Sequence, residues 1–93
     1  MEISKRAIIT VLGNDRVGII YGISGVLAQN NVNILDISQT ILQEFFTMVM
    51  VVDVSQSLAE FAQLKEQLAL KGKEMGLQVN IQHEDIFRYM HRI

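Results

Sequence analysis

Residues 33–54 read Asn33-Ile34-Leu35-Asp36-Ile37-Ser38-Gln39-Thr40-Ile41-Leu42-Gln43-Glu44-Phe45-Phe46-Thr47-Met48-Val49-Met50-Val51-Val52-Asp53-Val54, and two alternating runs within them decide the fold. Over 33–42 the order places Leu35, Ile37 and Ile41 on one face and Asp36, Ser38 and Thr40 on the other, the period-two signature of a strand. Over 45–54, Phe46, Met48, Met50, Val52 and Val54 share one register. Only Gln43 and Glu44 separate the runs, which predicts an antiparallel hairpin, although the turn lacks the glycine such connections favour.

Two further strands flank this hairpin. Residues 5–12 (Lys5-Arg6-Ala7-Ile8-Ile9-Thr10-Val11-Leu12) are short and β-branched, and Gly13 is expected to end them. Residues 77–83 alternate Leu77, Val79 and Ile81 against Gln78, Asn80 and Gln82, a half-buried strand with one wet face. Between the strands lie two helical patterns. Ile19, Ile20, Ile23, Val26 and Leu27 form one apolar arc in a helix expected from Val17 to Asn30, capped by Asn14 or Asp15 and left through Asn30-Asn31. Leu58, Phe61, Leu64, Leu68 and Met75 line a second, expected over 58–75. Ser57 to Glu60 suits a capping box there, and Gly76 suits the exit. Residues 84–91 read as a short terminal helix that packs on the body through Ile86, Phe87 and Met90.

The order βαββαβ has one common solution. Right-handed crossovers place both helices on one face of a four-stranded antiparallel sheet, with the first and third strands central. The expected class is α+β, a ferredoxin-like sandwich, in one domain over residues 1–93. That architecture hosts many functions and decides none of them.

Composition narrows the choice. The chain has 93 residues, of which 49 % are hydrophobic and 19 % charged, so it has the apolar content to fold. A domain of this size buries roughly 60–65 % of the surface its unfolded chain exposes. Eight basic residues against ten acidic ones give a net charge of −2, which argues against a nucleic-acid footprint. The absence of cysteine excludes disulfides, thiolate catalysis and cysteine-held metals. No apolar run approaches the ~20 residues of a membrane span, and the first residues lack a signal-peptide core. A cytoplasmic protein without membrane contact is expected.

Little in the sequence suggests catalysis. His83 and His91 are the only histidines, and on one helix they would lie about 12 Å apart, too far to chelate one metal. No serine sits in a nucleophile elbow, and no carboxylate pair stands out as an acid and base. No cofactor, metal site or enzymatic activity is expected. The loop Gly13-Asn14-Asp15-Arg16-Val17-Gly18 stands out instead, because it follows a strand and opens a helix. By spacing alone it reads first as a capped turn, and it also suits an anion received by backbone N–H groups. Gly18, Gly22 and Gly25 share a stripe of the first helix away from its apolar arc, either as tolerated weak positions or as a place for close approach.

The segments Ile8-Ile9-Thr10-Val11-Leu12-Gly13-Asn14-Asp15-Arg16-Val17-Gly18-Ile19 and Leu27-Ala28-Gln29-Asn30-Asn31-Val32-Asn33-Ile34 resemble the ACT domain, a small-molecule-sensing module. The resemblance spans nearly the whole chain. It is similar to small free-standing ACT proteins of the glycine-cleavage regulator type. Val17 stands where the family usually has proline, and Gly13 where some serine-binding members carry histidine. The resemblance implies paired domains with an amino acid bound between them, against the first loop and polar groups of the partner. It also implies that Asp15 and Asn33 occupy ligand-contacting positions.

The expected function is therefore regulatory: a homodimer that binds a small-molecule effector, an amino acid, and acts on a regulated protein partner. The alternative is a protein–protein interaction module with no small ligand. An acyl-phosphate hydrolase of the same fold would pair Arg16 with Asn33, but the loop lacks a glycine-dense phosphate cradle. The ligand site is placed at Asn14, Asp15, Arg16, Val17, Gly18 and Ile19 with Asn33 nearby. N–H groups around Val17, Gly18 and Ile19 would receive the carboxylate, and Asp15 and Asn33 the ammonium. Pairing is expected because Ile8, Phe45, Val49 and Val51 fall in the register the helices leave bare. An isologous contact through strand 33–42 or across that open face would hide them.

Overall fold

A computed structural model describes residues 5–85. The elements are β1 (Arg6–Asn14), α1 (Ile19–Gln29), β2 (Asn33–Leu42), β3 (Phe45–Asp53), α2 (Phe61–Met75) and β4 (Leu77–His83). They form one sheet in the order β2-β3-β1-β4, every neighbouring pair antiparallel. This is the ferredoxin-like arrangement. The expected terminal packing of Ile86, Phe87 and Met90 lies outside the described residues.

Antiparallel register puts residues opposite one another on the same face, and it assembles the core row by row. Ile9 stands between Met50 and Ile81, and Val11 between Met48 and Val79. Ile19, Ile23, Val26 and Leu27 of α1 and Leu64 and Leu68 of α2 close over these rows, all of them buried. The opposite face carries Ile8, Val49, Val51, Leu12 and Phe45. Its corner at Leu12 and Phe45 is about half exposed.

Local backbone constraints shift several boundaries. β1 runs through Gly13 to Asn14, because the start of β3 supplies partners as far as Phe45. α1 begins at Ile19, two residues late, because Gly18 adopts a left-handed φ of 90° that no helix admits. Neither Asn14 nor Asp15 caps it. The exit does use left-handed Asn31, at φ 59°. Leu58 lies outside α2, its N–H donating to the Asn30 carbonyl at 2.8 Å. Ser57 donates to the Ala59 carbonyl instead of capping the helix. The capping box forms three residues later, where the Gln63 side chain accepts from the Glu60 N–H at 3.2 Å.

The most consequential departure is in β2. Its register against β3 shifts between Ile34 and Asp36, a bulge at Leu35. Ile34 stands opposite Val52, Ile37 opposite Met50, Gln39 opposite Met48 and Ile41 opposite Phe46. The helix-side set is therefore Ile34, Ile37, Gln39 and Ile41, without Leu35. Plain alternation would have sent Ile34 and Ile37 to opposite faces.

Two measurements probe this frame. Asn30 is buried, and its amide donates to the Val26 carbonyl at 2.9 Å and to Gln67 Oε1 at 2.7 Å. Asn30→Ala should cost about 1–3 kcal/mol in urea unfolding, because it leaves these acceptors without their donor. Leu70→Ala, at a position 59 % exposed, should change stability by less than about 0.5 kcal/mol. Equal effects would contradict the role given to Asn30. At the end of β3, hydrogen bonds from the Ser55 hydroxyl and N–H, the latter at 2.8 Å, hold the Asp53 carboxyl below its ordinary value, with Lys5 adding a smaller pull. The stability this supplies is present above the unfolded pKa and is lost as pH falls through the folded one. Carboxyl-detected NMR should show the Asp53 midpoint below that of an unfolded aspartate, moving upward in Ser55→Ala.

Candidate functional site

Residues 15–18 connect the centre of the sheet to α1, and three contacts fix them. The Asp15 N–H donates to the Glu44 carbonyl at 2.8 Å, which ties the loop to the β2–β3 turn. The Arg16 guanidinium donates to the Met75 carbonyl at 3.1 Å, at the last turn of α2, where the helix dipole favours a cation. Gly18 supplies the left-handed step, and its carbonyl accepts the Gly22 N–H at 2.9 Å as the helix begins. A side chain at Gly18 would meet nothing within 4 Å, so backbone conformation, not close packing, demands glycine there.

No side chain caps α1, and the N–H groups of Ile19, Ile20 and Tyr21, in its first turn, have no intrahelical partners. They border a cavity of about 320 Å³. Asp15, Arg16 and Gly18 form its loop wall, Ile20 and Tyr21 its helix wall, and Gln39 and Ile41 of β2 its outer wall. The chemistry on offer is a set of backbone donors with a partial positive charge, a carboxylate beside them, and an amide on an apolar floor.

The structure brings together most of the residues expected from sequence, but not all. Asp15, Arg16, Gly18 and Ile19 line the cavity, while Val17 projects outward, 96 % exposed. Asn14 turns to a different recess, shared with Leu12, Phe45 and Gln78. Asn33 stands opposite Asp53, level with Arg6 at the far end of the sheet. A strand of nine residues separates those ends by about 26 Å, so Asn33 is not beside its own chain's loop. Arg16 and Asn33, which an acyl-phosphate hydrolase would need together, are apart for the same reason. The helix-start donors also move from Val17–Ile19 to Ile19–Tyr21. Sequence reasoning missed Tyr21 and Gln39. For Gln39 a signal existed: a polar residue between Ile37 and Ile41 in an otherwise apolar register.

Outside the cavity, β2 is the edge of the sheet, and only Ile34 along its length is less than exposed. Ile37, Ile41 and Leu42 are 39 %, 52 % and 71 % exposed. Among the described residues, no three potential metal ligands cluster, and no helix is long and apolar enough to cross a membrane.

Known proteins share this sequence and geometry. Residues 5–82 match the ACT domain. A UPF0237 protein of Methanocaldococcus jannaschii is 58 % identical over 89 residues, covering 96 % of this chain and 99 % of that protein. The solved ACT domain protein from Streptococcus pneumoniae is 43 % identical with a TM-score of 0.78, over 90 % of this chain and 94 % of that one. The ACT domain from GTP pyrophosphokinase of Chlorobium tepidum, at 23 % identity and TM-score 0.61, shares the fold over 83 % of this chain and 96 % of its own. The chain belongs to the ACT domain family of regulatory, small-ligand-binding modules.

Proposed function

We propose that this protein is a non-catalytic regulatory module that binds an amino acid in the cavity between the 15–18 loop, α1 and β2, and that it does so as a homodimer joined along β2. One observation carries the reading: the uncapped start of α1 opens onto a cavity whose walls include a carboxylate. A zwitterion matches that pairing, its carboxylate on the N–H groups of Ile19, Ile20 and Tyr21 and its ammonium near Asp15. Free amino acids and a cytoplasmic setting are consistent with each other.

The dimer follows from the edge. A two-fold axis normal to the sheet at Ser38 would pair residues 36–40 of β2 with their own symmetry mates, like face to like face. In that register the partner subunit's Asn33 comes level with the 43–44 turn, to which Asp15 is bonded. Asn33 would then contribute across the interface the polar group its own chain cannot place. A second reading, a docking surface for a regulated protein without a small ligand, is favoured by the exposure of Val17 and Tyr21, 96 % and 86 %.

Thermal-shift measurement across the common amino acids separates the two. Ligand at a hundredfold excess over its dissociation constant should add about 2.7 kcal/mol, a melting shift of roughly 10–20 °C for a domain of this size. The shift, as distinct from the starting melting temperature, should shrink in Asp15→Ala, Gly18→Val and Asn33→Ala. If no amino acid shifts the wild type, the protein-docking reading replaces this one. Sedimentation should give twice the 10.5 kDa chain mass, and Ile37→Lys with Ile41→Lys should restore the monomer by charging the edge. A wild-type monomer at micromolar concentration would refute the pairing.

A further inference from the structure

The sheet has two faces, and the helices cover one of them. On the other, the row at the end away from the 15–18 loop runs Asp36, Val51, Ile8 and Gln82 across β2, β3, β1 and β4. Ile8 is 7 % exposed, yet it does not belong to the cluster of buried residues beneath the helices. A buried side chain is surrounded on all sides, and neighbours in the same pleated layer flank it without roofing it. Exposure also changes along the face. Ile8, Val51 and Gln82 are buried or half-buried, whereas Leu12, Thr47 and Gln78, two rows nearer the loop, are exposed. The cover therefore lies over the far half of the face.

The chain leaves β4 at that end. β4 closes at His83, and the Glu84 carboxylate is held by Arg6 at 2.6 Å. Arg6 precedes the core residue Ala7 and stands opposite Asp53, so it lies on the open side and draws Glu84 toward it. The sequence then continues Ile86-Phe87-Arg88-Tyr89-Met90-His91-Arg92-Ile93. At helical spacing Ile86, Phe87, Tyr89, Met90 and Ile93 fall within an arc of about 160°, and Arg88, His91 and Arg92 fall on the remainder. With Glu84 and Asp85 ahead of them, the acids come first and the bases last, the order a helix dipole favours.

We infer that residues 86–93 of the same chain are the cover, a helix laid across the strands over Gln82, Ile8 and Val51. Its apolar arc rests on Ile8 and Val51, and its basic end comes level with Asp36. The dimensions agree. Ten residues from Glu84 to Ile93 span about 15 Å as a helix. The three strand spacings from β4 to β2 come to about 14 Å. A helix laid along β1 would reach Leu12 and cover it, and Leu12 is about half exposed. This surface is separate from the outer edge of β2 and from the cavity at α1, so it depends on neither the proposed ligand nor the proposed pairing.

The test is NMR of the full chain, observing its methyl groups and phenylalanine rings. Ile8 and Val51 should show Overhauser contacts to Phe87 and Met90. Phe87→Ser with Met90→Ser should abolish these contacts and shift the Ile8 and Val51 signals, while Ile9 and Met50 on the helix side stay in place. The same variant should be cleaved by trypsin after Arg88 at least tenfold faster than the wild type. Because the chain has no cysteine, a disulfide can report the same proximity. Val51→Cys with Met90→Cys should oxidise within one chain, and Leu12→Cys with Met90→Cys at least tenfold more slowly. The inference is overturned if Ile8 contacts residues 1–4 instead, or if it shows no contact outside the sheet. It is equally overturned if the disulfide joins two chains, or if Leu12→Cys reacts as fast as Val51→Cys. Should the double serine variant misfold, the wild-type contacts and the disulfide pairs still decide between these outcomes.

Discussion

Asn30 is a polar side chain set into an apolar layer, and its groups are engaged on three sides. Its side-chain amide donates to the Val26 carbonyl in its own helix and to Gln67 in α2, while its backbone carbonyl accepts from the Leu58 N–H just ahead of α2. The exit of α1 is thereby joined to both the entry and the middle of α2. At the other end of the pair, Arg16 reaches from the start of α1 to the last turn of α2. Two helices held at both ends settle as a unit. α2 lies close on β4, where a side chain at Gly72 would come within 2.6 Å of Val79. The pair is therefore drawn toward β1 and β4, and β2 is left at the margin with its helix-side residues exposed.

That displacement creates the candidate site. Were α1 seated over β2, Ile37, Gln39 and Ile41 would be core positions, and the start of α1 would close against them. Instead a gap opens between helix and edge strand, floored by Ile41 and Gln39 and headed by uncapped N–H groups. The Leu35 bulge contributes as well, because it sets which residues of β2 face the gap. Gly18 completes the geometry: its left-handed φ turns the chain abruptly from loop to helix, so that no residue before it swings back as a cap.

The fold was legible because its two periods were clean. Alternation in 45–54 and 77–83 and helical spacing in 19–27 give element type and order directly, and the two-residue turn gives the hairpin. What was not legible was non-local. The late start of α2 depends on the Leu58 bond to Asn30, a contact across the fold. The bulge at Leu35 appears only once β3 is laid beside β2, and with it the direction in which Gln39 faces. Of the site, Asp15, Arg16, Gly18 and Ile19 were readable because a single loop holds them. Asn33 entered through family resemblance alone. Topology places the start of β2 level with the start of β1, so the chain by itself carries Asn33 to the wrong end.

The state of β2 bears on what this protein can be alone. Sheets guard their edges with lysine, proline, short strands, bulges or a covering segment. β2 has ten residues, no lysine and no proline, and Asp36 as its single charge. The bulge sits at its beginning, so from Asp36 to Leu42 the pairing with β3 runs in unbroken register, and the outer edge of that stretch is equally regular. Ser38 and Thr40 on one face are neutral, and Ile37 and Ile41 on the other are apolar. Such a strand is suited to another strand, and the partner it fits best is one of equal length, equal regularity and no opposing charge. A second β2 meets each of these conditions, and antiparallel pairing about an axis at Ser38 sets each Asp36 opposite a Thr40 and not opposite the other Asp36. The same edge borders the open side of the candidate cavity, so the proposed pairing would also close it.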